Sequence, residues 1–440
     1  MMSTRIWSLL AFSSAVVLAG TNVHAQSSAE VNSSMEFNFG SPGARSLGLG
    51  GAFVALADDA TAVFVNPAGL TQLLKTEAAA EGRFFSYTTP FTFGGSTVLP
   101  AVQQRSDGSI AGIDERHHTD HIRDLSFASV VVPSASWSAA LYRHELANFR
   151  MSTRTDGLIF DQPVLGTPQP RRFNPSTSNL ELHIVSYGAS FAANLGERVS
   201  LGVTIARQQL TLDSRTILYD RPVEIKAPAD YQNVTGSQVQ HGRSDDMSFV
   251  AGMLWKVNSH MTCGAAYQQG SDFGVTVQKS DANDGSIQTF DSQFHVPSVF
   301  RAGVSYSFPT AIKATAEVDR IRYSRLTQHF VLLFREEPHY RVDDGTEIHL
   351  GVQRLLTGET ILDLFHYPVV VSLGAWRDPD HRVRYVDAND PQSLLFRRGT
   401  AEYHASIGAA LVLGDSHEIG VAFDGSRRQK TTSISMVYRY

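Results

Sequence analysis

The sequence predicts an all-β protein, a 14-stranded antiparallel transmembrane β-barrel whose lumen is plugged by the N-terminal part of the chain. Three observations support this prediction. The 440-residue chain begins with a secretory signal peptide, strand-like segments follow one another to the C-terminus, and the connectors between them alternate between long and short. Segments that place apolar residues on one face and polar residues on the other suit a wall between lipid and a polar lumen.

The chain divides into three parts. Residues 1–25 form the signal peptide: Arg5 supplies a positive charge, residues 6–19 are largely apolar, and Val23-His24-Ala25 is the predicted cleavage site. Residues 26–75 form the plug, called the hatch below, and residues 76–440 form the transmembrane barrel. The apolar run of the signal peptide is too short for a transmembrane helix, which needs roughly 20 apolar residues.

Fourteen strands are predicted from alternation and from flanking turn residues. They cover residues 77–87, 122–132, 136–149, 181–193, 198–212, 247–257, 261–278, 296–308, 312–323, 346–355, 368–377, 402–413, 417–424 and 431–440. The alternation is clearest in the twelfth strand, where Ile407 and Leu411 share one face while His404 and Ser406 share the other. The apolar face would meet lipid and the polar face the lumen.

The connectors predict how the barrel is oriented. Long connectors such as 90–121, 150–180 and 213–246 alternate with short ones, as in barrels with long outer loops and tight periplasmic turns. Connector 356–367 is long for a periplasmic turn, and connector 425–430 is short for an outer loop. An even strand count with a long first connector places both ends of the barrel in the periplasm.

The last strand ends in an aromatic residue. Ile434, Met436, Tyr438 and Tyr440 alternate with polar residues. This pattern is similar to the signal by which the outer-membrane assembly machinery recognises its substrates, so that machinery is an expected partner, together with outer-membrane lipid.

The hatch contains an unusual segment, residues 43–70, with neither sustained strand alternation nor a long helical stripe. Its conspicuous residues are Gly48, Gly50, Gly51, Asp58, Asp59, Asn66, Pro67 and Ala68. Glycine permits positive φ and close backbone approach, which suits a chain threaded through a confined space. On these residues the segment resembles the N-terminal hatch of the FadL/TodX family of outer-membrane transporters for long-chain fatty acids and other hydrophobic compounds.

The resemblance implies a function. It implies an integral protein of the Gram-negative outer membrane that takes up hydrophobic small molecules, long-chain fatty acids above all, by binding beside the hatch and passive diffusion. It implies no enzymatic activity and no cofactor. The family also opens sideways at a kinked strand near the position of Arg143-His144-Glu145. A bulge would explain the interruption of the strand pattern there, and emergence of the strand from the membrane is the simpler explanation.

Several residues are candidate ligand contacts. Phe53 and Phe64 in the hatch would line a hydrophobic pocket, and Arg45 would meet a carboxylate headgroup. The structural alternatives are packing of the aromatic rings against the barrel wall and an ion pair of Arg45 with Glu317 or Asp319.

A second group of candidates lies in a predicted outer loop. Leu158, Ile159 and Phe160 form an apolar cluster in an otherwise polar segment. Exposed apolar clusters can mark binding sites, so these residues are a possible landing site for a hydrophobic substrate. Packing of one loop on another is the equal alternative.

Other chemistries have weaker support. The histidine-rich stretch 114–121 matches no zinc spacing and is expected in an outer loop. His404 and Ser406 share a face, but the sequence contains no nucleophile elbow, so no catalytic residue is assigned. Cys263 is the only cysteine, which excludes an intramolecular disulfide, and the net charge of −6 argues against a nucleic acid partner.

Two rival functions stay open at this point. A PorV-like outer-membrane barrel would anchor or shuttle secreted proteins, and it would retain a stable protein partner. A membrane lipid hydrolase would lose activity on substitution of His404 or Ser406.

Overall fold

The alternation of residue types gives the sheet an apolar outer face and a polar inner face. In the computed structural model, Ile407 is 56% exposed on the outer face, whereas His404 on the inner face is 3% exposed. The structure describes residues 35, 37–98, 112–164, 167–328, 339–357 and 367–440. The predicted signal peptide, residues 1–25, lies outside the described residues.

The described residues form twenty strands, sixteen of them in one sheet. Their bounds are β1 Glu77–Gly95, β2 Ile113–Pro133, β3 Trp137–Thr155, β4 Ile159–Val164, β5 Thr167–Arg172, β6 Ser176–Leu195, β7 Val199–Tyr219, β8 Val234–Lys256, β9 Met261–Gln268, β10 Asp272–Asp281, β11 Ile287–His295, β12 Val299–Ser307, β13 Ile312–Ile321, β14 Tyr340–Arg341, β15 Gly345–Leu356, β16 Val369–Asp378, β17 Arg384–Tyr385, β18 Glu402–Leu413, β19 His417–Gly425 and β20 Gln429–Arg439. The short helices within the described ranges are α1 Ala44–Gly48, α2 Ala62–Val65 and the 3-10 helices η1 Pro67–Gln72, η2 Tyr323–Thr327 and η3 Pro391–Leu394.

The sixteen strands form a closed barrel with fourteen positions around its wall. Neighbours pair antiparallel from β9 through β12, β13 and onward to β8, and the pairing of β8 with β9 closes the ring. Two wall positions each contain two successive strands, β9 with β10 and β11 with β12. The predicted 14-stranded antiparallel barrel is therefore confirmed. No helix in the described ranges is both long and apolar enough to cross a membrane.

Several predicted boundaries are wrong at the end of the barrel that carries the long connectors. Strand β1 continues to Gly95 and β2 begins at Ile113, so the stretch 114–121 lies in a strand and not in a loop. Pro90 stands opposite His117 in this ladder. The predicted seventh strand is interrupted after Gln268. These extensions carry polar side chains on both faces, so hydrophobic alternation cannot reveal them.

The described part of the hatch, from residue 37 onward, lies against the inner face of the wall. Helix α1 contacts β18 and β19, and η1 contacts β6, β7 and β8. The backbone amides of Phe53 and Val54 donate to Glu317 Oε2 at 2.6 and 2.7 Å, and Ala44 N donates to Ser435 Oγ at 3.0 Å. These bonds satisfy backbone groups that leave the water on folding.

The wall and the hatch approach closely because the wall residues at the contact are glycines. A Cβ atom added to Gly374 on β16 would overlap Gly50 N and the carbonyl carbon of Leu49. Gly351 on β15 faces the same turn, where an added Cβ would lie 2.6 Å from Leu49 O. The fit of this turn therefore depends on glycine, which has no side chain, at these two positions of the wall.

We expect Gly374→Val to loosen the hatch and to destabilise the protein by roughly 1–3 kcal/mol, the usual cost of overpacking. Limited proteolysis of the folded protein should then cut within the hatch, while the barrel remains intact. Gly274→Val is the matched control, because Gly274 is exposed on β10 and an added Cβ there would meet nothing within 4 Å. Equal protease resistance of the two variants would contradict the proposed fit.

Candidate ligand cavity and lateral opening

A network of charges holds the hatch together. Arg45 binds Asp58 with two hydrogen bonds of 2.7 and 3.2 Å, and its Nη1 atom lies 3.4 Å from Asp59. Lys313 from β13 also reaches Asp58, at 3.1 Å. Burial disfavours the charged carboxylate of Asp58, but Arg45 and Lys313 outweigh it and lower its pKa. Burial dominates at Asp59 and raises its pKa, with Arg45 opposing the shift.

The expected wall partners of Arg45 are wrong. Glu317 binds the hatch backbone, and Asp319 pairs with Arg301 at 3.3 Å. The carboxylates that pair with Arg45 belong to the hatch itself. Among the described wall residues, Arg45 donates a hydrogen bond to Gln353, at 3.0 Å. Its guanidinium is thus already engaged and does not line the cavity described below.

The other predicted hatch residues have structural contacts. Phe53 and Phe64 are fully buried, and the ring of Phe64 packs on His144 with 4.0 Å between centroids. Asn66 donates to Val54 O at 2.7 Å and to Met253 O at 3.2 Å, and its side-chain oxygen accepts from Ala68 N at 3.2 Å. Asn66 therefore starts helix η1 at Pro67 and ties two parts of the hatch to β8.

The predicted landing site in the outer loop is not exposed. Leu158 and Phe160 are buried, and Ile159 is partly buried. Leu158 and Phe160 belong to a cluster formed with Phe173, Leu218, Tyr385, Leu395 and Phe396. Packing of one loop on another is therefore the correct explanation, since apolar side chains from separate connectors shield each other from water.

Strands β2 and β3 part from each other on the side of the long connectors. They are paired from Pro133 opposite Ser138 to Phe127 opposite His144. Beyond that point β2 continues with β1 and β3 continues with β6, and the described residues form no further pairs between β2 and β3. A bulge between Glu145 and Ala147 bends β3 at this place. This bulge directly follows Arg143-His144-Glu145, as the bulge explanation of the interrupted pattern requires.

A cavity of about 160 Å³ adjoins this opening. Its apolar lining comes from the start of the described hatch and from the wall, namely Phe37, Phe39, Leu47, Phe85, Ile122, Ala147 and Trp376. Its polar lining includes the charged or titratable side chains of Arg83, Glu145, Glu347, His349 and Asp424 together with hydroxyl and amide side chains. Ile122 lies on β2 and Ala147 on β3, so the cavity reaches both edges of the opening.

Of the predicted site residues, only Gly50 and Gly51 line this cavity. The wall residues Phe85, Ile122 and Trp376 were missed. Their inward direction follows from strand alternation, but their convergence depends on pairing across the whole barrel. Such pairing cannot be read from one stretch of sequence.

The suggested serine and histidine pair is not formed. His404 Nδ1 lies 2.7 Å from Asp424 Oδ2, and Trp376 Nε1 donates to Asp424 Oδ1 at 3.0 Å. Ser406 donates instead to Gly48 O at 3.4 Å. In the described part of the chain, His404 Nε2 has no hydrogen-bond partner. The arrangement orients His404 but gives it no nucleophile.

The geometry can be compared with known proteins. The fold matches a FadL homologue from Pseudomonas aeruginosa at 12% identity and a TM-score of 0.58, over 88% of this chain and 96% of that one. The chain has the FadL fold. Two further matches with this fold are the toluene transporter TbuX of Ralstonia pickettii, with 12% identity and a TM-score of 0.56, and the monoaromatic hydrocarbon channel CymD, with 14% and 0.55. Each covers 92% of this chain and 99% of the matched chain.

No protein-family model and no curated protein sequence matches the chain. The predicted resemblance to the FadL/TodX family is thus confirmed through the FadL fold. At these identities the comparison concerns architecture, and the local contacts described above belong to this chain alone.

We expect Arg45→Met to destabilise the folded protein by about 3–5 kcal/mol, because Asp59 would lose the cation beside it in a buried site and Asp58 would keep only Lys313. Denaturant unfolding of the detergent-solubilised protein measures the loss. Arg207→Met is the control, since Arg207 and Asp245 form an exposed pair on the outer face, where such pairs contribute about 0–1 kcal/mol. A loss no larger than that of the control would contradict the role assigned to Arg45.

Proposed function

We propose that the protein is an outer-membrane channel for passive uptake of hydrophobic molecules about the size of one aromatic ring. The observation that carries the proposal is the apolar cavity of about 160 Å³ between the hatch and the opening of β2 from β3. An engineered apolar cavity of about 150 Å³ in another protein binds benzene. A long-chain fatty acid has a much longer tail and would exceed this volume.

The fold neighbours support the same ligand class. TbuX is a toluene transporter and CymD is a monoaromatic hydrocarbon channel. The lining of Phe37, Phe39, Phe85 and Trp376 suits an aromatic ligand, because aromatic rings pack favourably in offset and edge-to-face arrangements. We therefore place monoaromatic hydrocarbons ahead of long-chain fatty acids as substrates.

The route we propose leaves the barrel sideways. A ligand would enter from the end with the long connectors, occupy the cavity and pass between β2 and β3 toward the lipid. Leu125 and Leu141 are exposed on the outer face near the narrow end of the opening. They continue the apolar surface that a hydrophobic ligand would meet on leaving. The hatch would act as the floor of the cavity and as the plug of the lumen.

The proposal predicts that Ala147→Trp fills the cavity and lowers uptake of labelled toluene by at least tenfold. Ala139→Trp is the matched control on the same strand, where the residue is paired in the closed part of the wall. Both variants should reach the membrane as folded barrels. Unchanged toluene uptake by Ala147→Trp would overturn the role of the cavity.

The ligand class is tested by comparing toluene, ethylbenzene and oleate in the same uptake assay with the unmodified protein. Competition by ethylbenzene and none by oleate is the expected result. Uptake of oleate without uptake of toluene would replace the proposed ligand class by fatty acids.

A further inference from the structure

A separate cluster of side chains lies in the wall beside the cavity. Asp319 on β13 and Glu347 and His349 on β15 each offer a ligand atom, and these atoms lie within 4.8 Å of one another. Their residues are buried, at 4, 9 and 6% exposure. We propose that this cluster is a binding site for one divalent transition-metal cation of the Zn²⁺ type. The site does not depend on the transport proposed above.

The histidine is oriented as a metal ligand. His349 Nδ1 lies 2.7 Å from Gly50 O, and a carbonyl oxygen only accepts, so Nδ1 carries the hydrogen. The lone pair of Nε2 is then available in the neutral ring. Ligand histidines commonly have their other nitrogen fixed by a backbone carbonyl in this way.

The spacing of the first two ligand atoms fits a metal. His349 Nε2 lies 3.2 Å from Glu347 Oε2. Two ligands of a tetrahedral zinc ion with bonds of about 2.1 Å are roughly 3.4 Å apart. The ligand atom of Asp319 lies within 4.8 Å of both. The fourth position would face the cavity, because Glu347 and His349 both line it.

The carboxylate of Asp319 independently indicates a cation. Its Oδ2 atom lies 3.3 Å from Arg301 Nε, but among the described residues its buried Oδ1 atom has no hydrogen-bond partner. A buried carboxylate oxygen without a partner costs more free energy than an unsatisfied neutral group does. A metal ion at the cluster would remove that cost.

A proton is the competitor for the same place. If His349 carried a second proton, Nε2–H would donate to Glu347 and the cluster would need no metal. The Nε2 atom of His349 cannot bind a proton and a metal ion at the same time. A metal titration therefore distinguishes the two alternatives, because only the metal site binds zinc. The number of carboxylates favours the cation, because Glu317, Asp319 and Glu347 are all buried, and Arg301 forms its ion pair with Asp319.

The site would connect the cation to the hatch. A metal on Nε2 would keep the hydrogen on Nδ1 and so maintain the bond from His349 to Gly50 O. Two residues before Asp319, Glu317 accepts from the amides of Phe53 and Val54. Cation binding would therefore stabilise the contact between the wall and the turn of the hatch at residues 50–54.

The test is a Zn²⁺ titration of the full chain in detergent, purified without a histidine tag and treated with a chelator beforehand. His117→Asn and His118→Asn are present in every sample, to remove neighbouring histidines of β2 that could collect zinc. We expect one Zn²⁺ per chain. His349→Gln and Glu347→Gln should each weaken binding by at least tenfold, and X-ray absorption should show one imidazole among nitrogen and oxygen ligands.

His404→Gln is the matched control, because His404 is a buried histidine of the same inner wall, stacked on Trp376, but outside the cluster. It should bind zinc as the reference protein does. Heat-modifiable migration in gels verifies that each variant is folded. Absence of saturable zinc binding, unchanged affinity in both cluster variants, or an equal loss in His404→Gln would each overturn the proposal.

Discussion

The structure depends on one constraint: the polar backbone groups of the hatch that enter the lumen need hydrogen-bond partners there. The clearest case is Glu317, whose buried carboxylate accepts from two consecutive amides, those of Phe53 and Val54. A carboxylate inside a barrel wall is costly unless it is bonded, and a turn inside a lumen is costly unless its amides are bonded. The wall carboxylate and the hatch amides therefore satisfy each other's hydrogen-bonding capacity. The inner face of the wall is polar because it must supply hydrogen-bond partners to the hatch.

The same constraint explains the internal pairing of the hatch. Arg45 takes its carboxylates from Asp58 and Asp59 of the same segment, and Asn66 bonds Val54 O and Ala68 N. A segment with so little regular secondary structure needs such side-chain bonds to replace a ladder or a helix. Because the hatch approaches glycines of the wall closely, its backbone amides can form hydrogen bonds with wall side chains.

Sequence patterns predicted the strands well where the outer face of the barrel is apolar. In β18 the alternation of Ile407 with His404 is strict, and the predicted and observed bounds agree. The pattern fails beyond the apolar band, where both faces of β2 from Asp114 to His121 carry polar side chains. The partners of Arg45 could have been predicted from the sequence, because one arginine and two aspartates lie in one short segment. The cavity was not, since Phe85, Ile122 and Trp376 meet only through the closure of the sheet.

The position of the opening between β2 and β3 follows from the cost of an unpaired strand edge. In hydrocarbon such an edge leaves backbone groups unsatisfied at several kcal/mol each, so strands can separate only where water or side chains replace the ladder. The separation begins beyond Phe127 and His144, and at that point the side chain of Arg143 donates to the backbone oxygen of Leu125. Arg143 thus substitutes for a ladder bond at the edge of the opening. The hatch, in contrast, is bonded to the wall at Glu317, Gln353 and Ser435, and moving it would break all of these contacts together. A passage at the strand edge disturbs fewer bonds than a passage through the hatch, and this difference favours the sideways route.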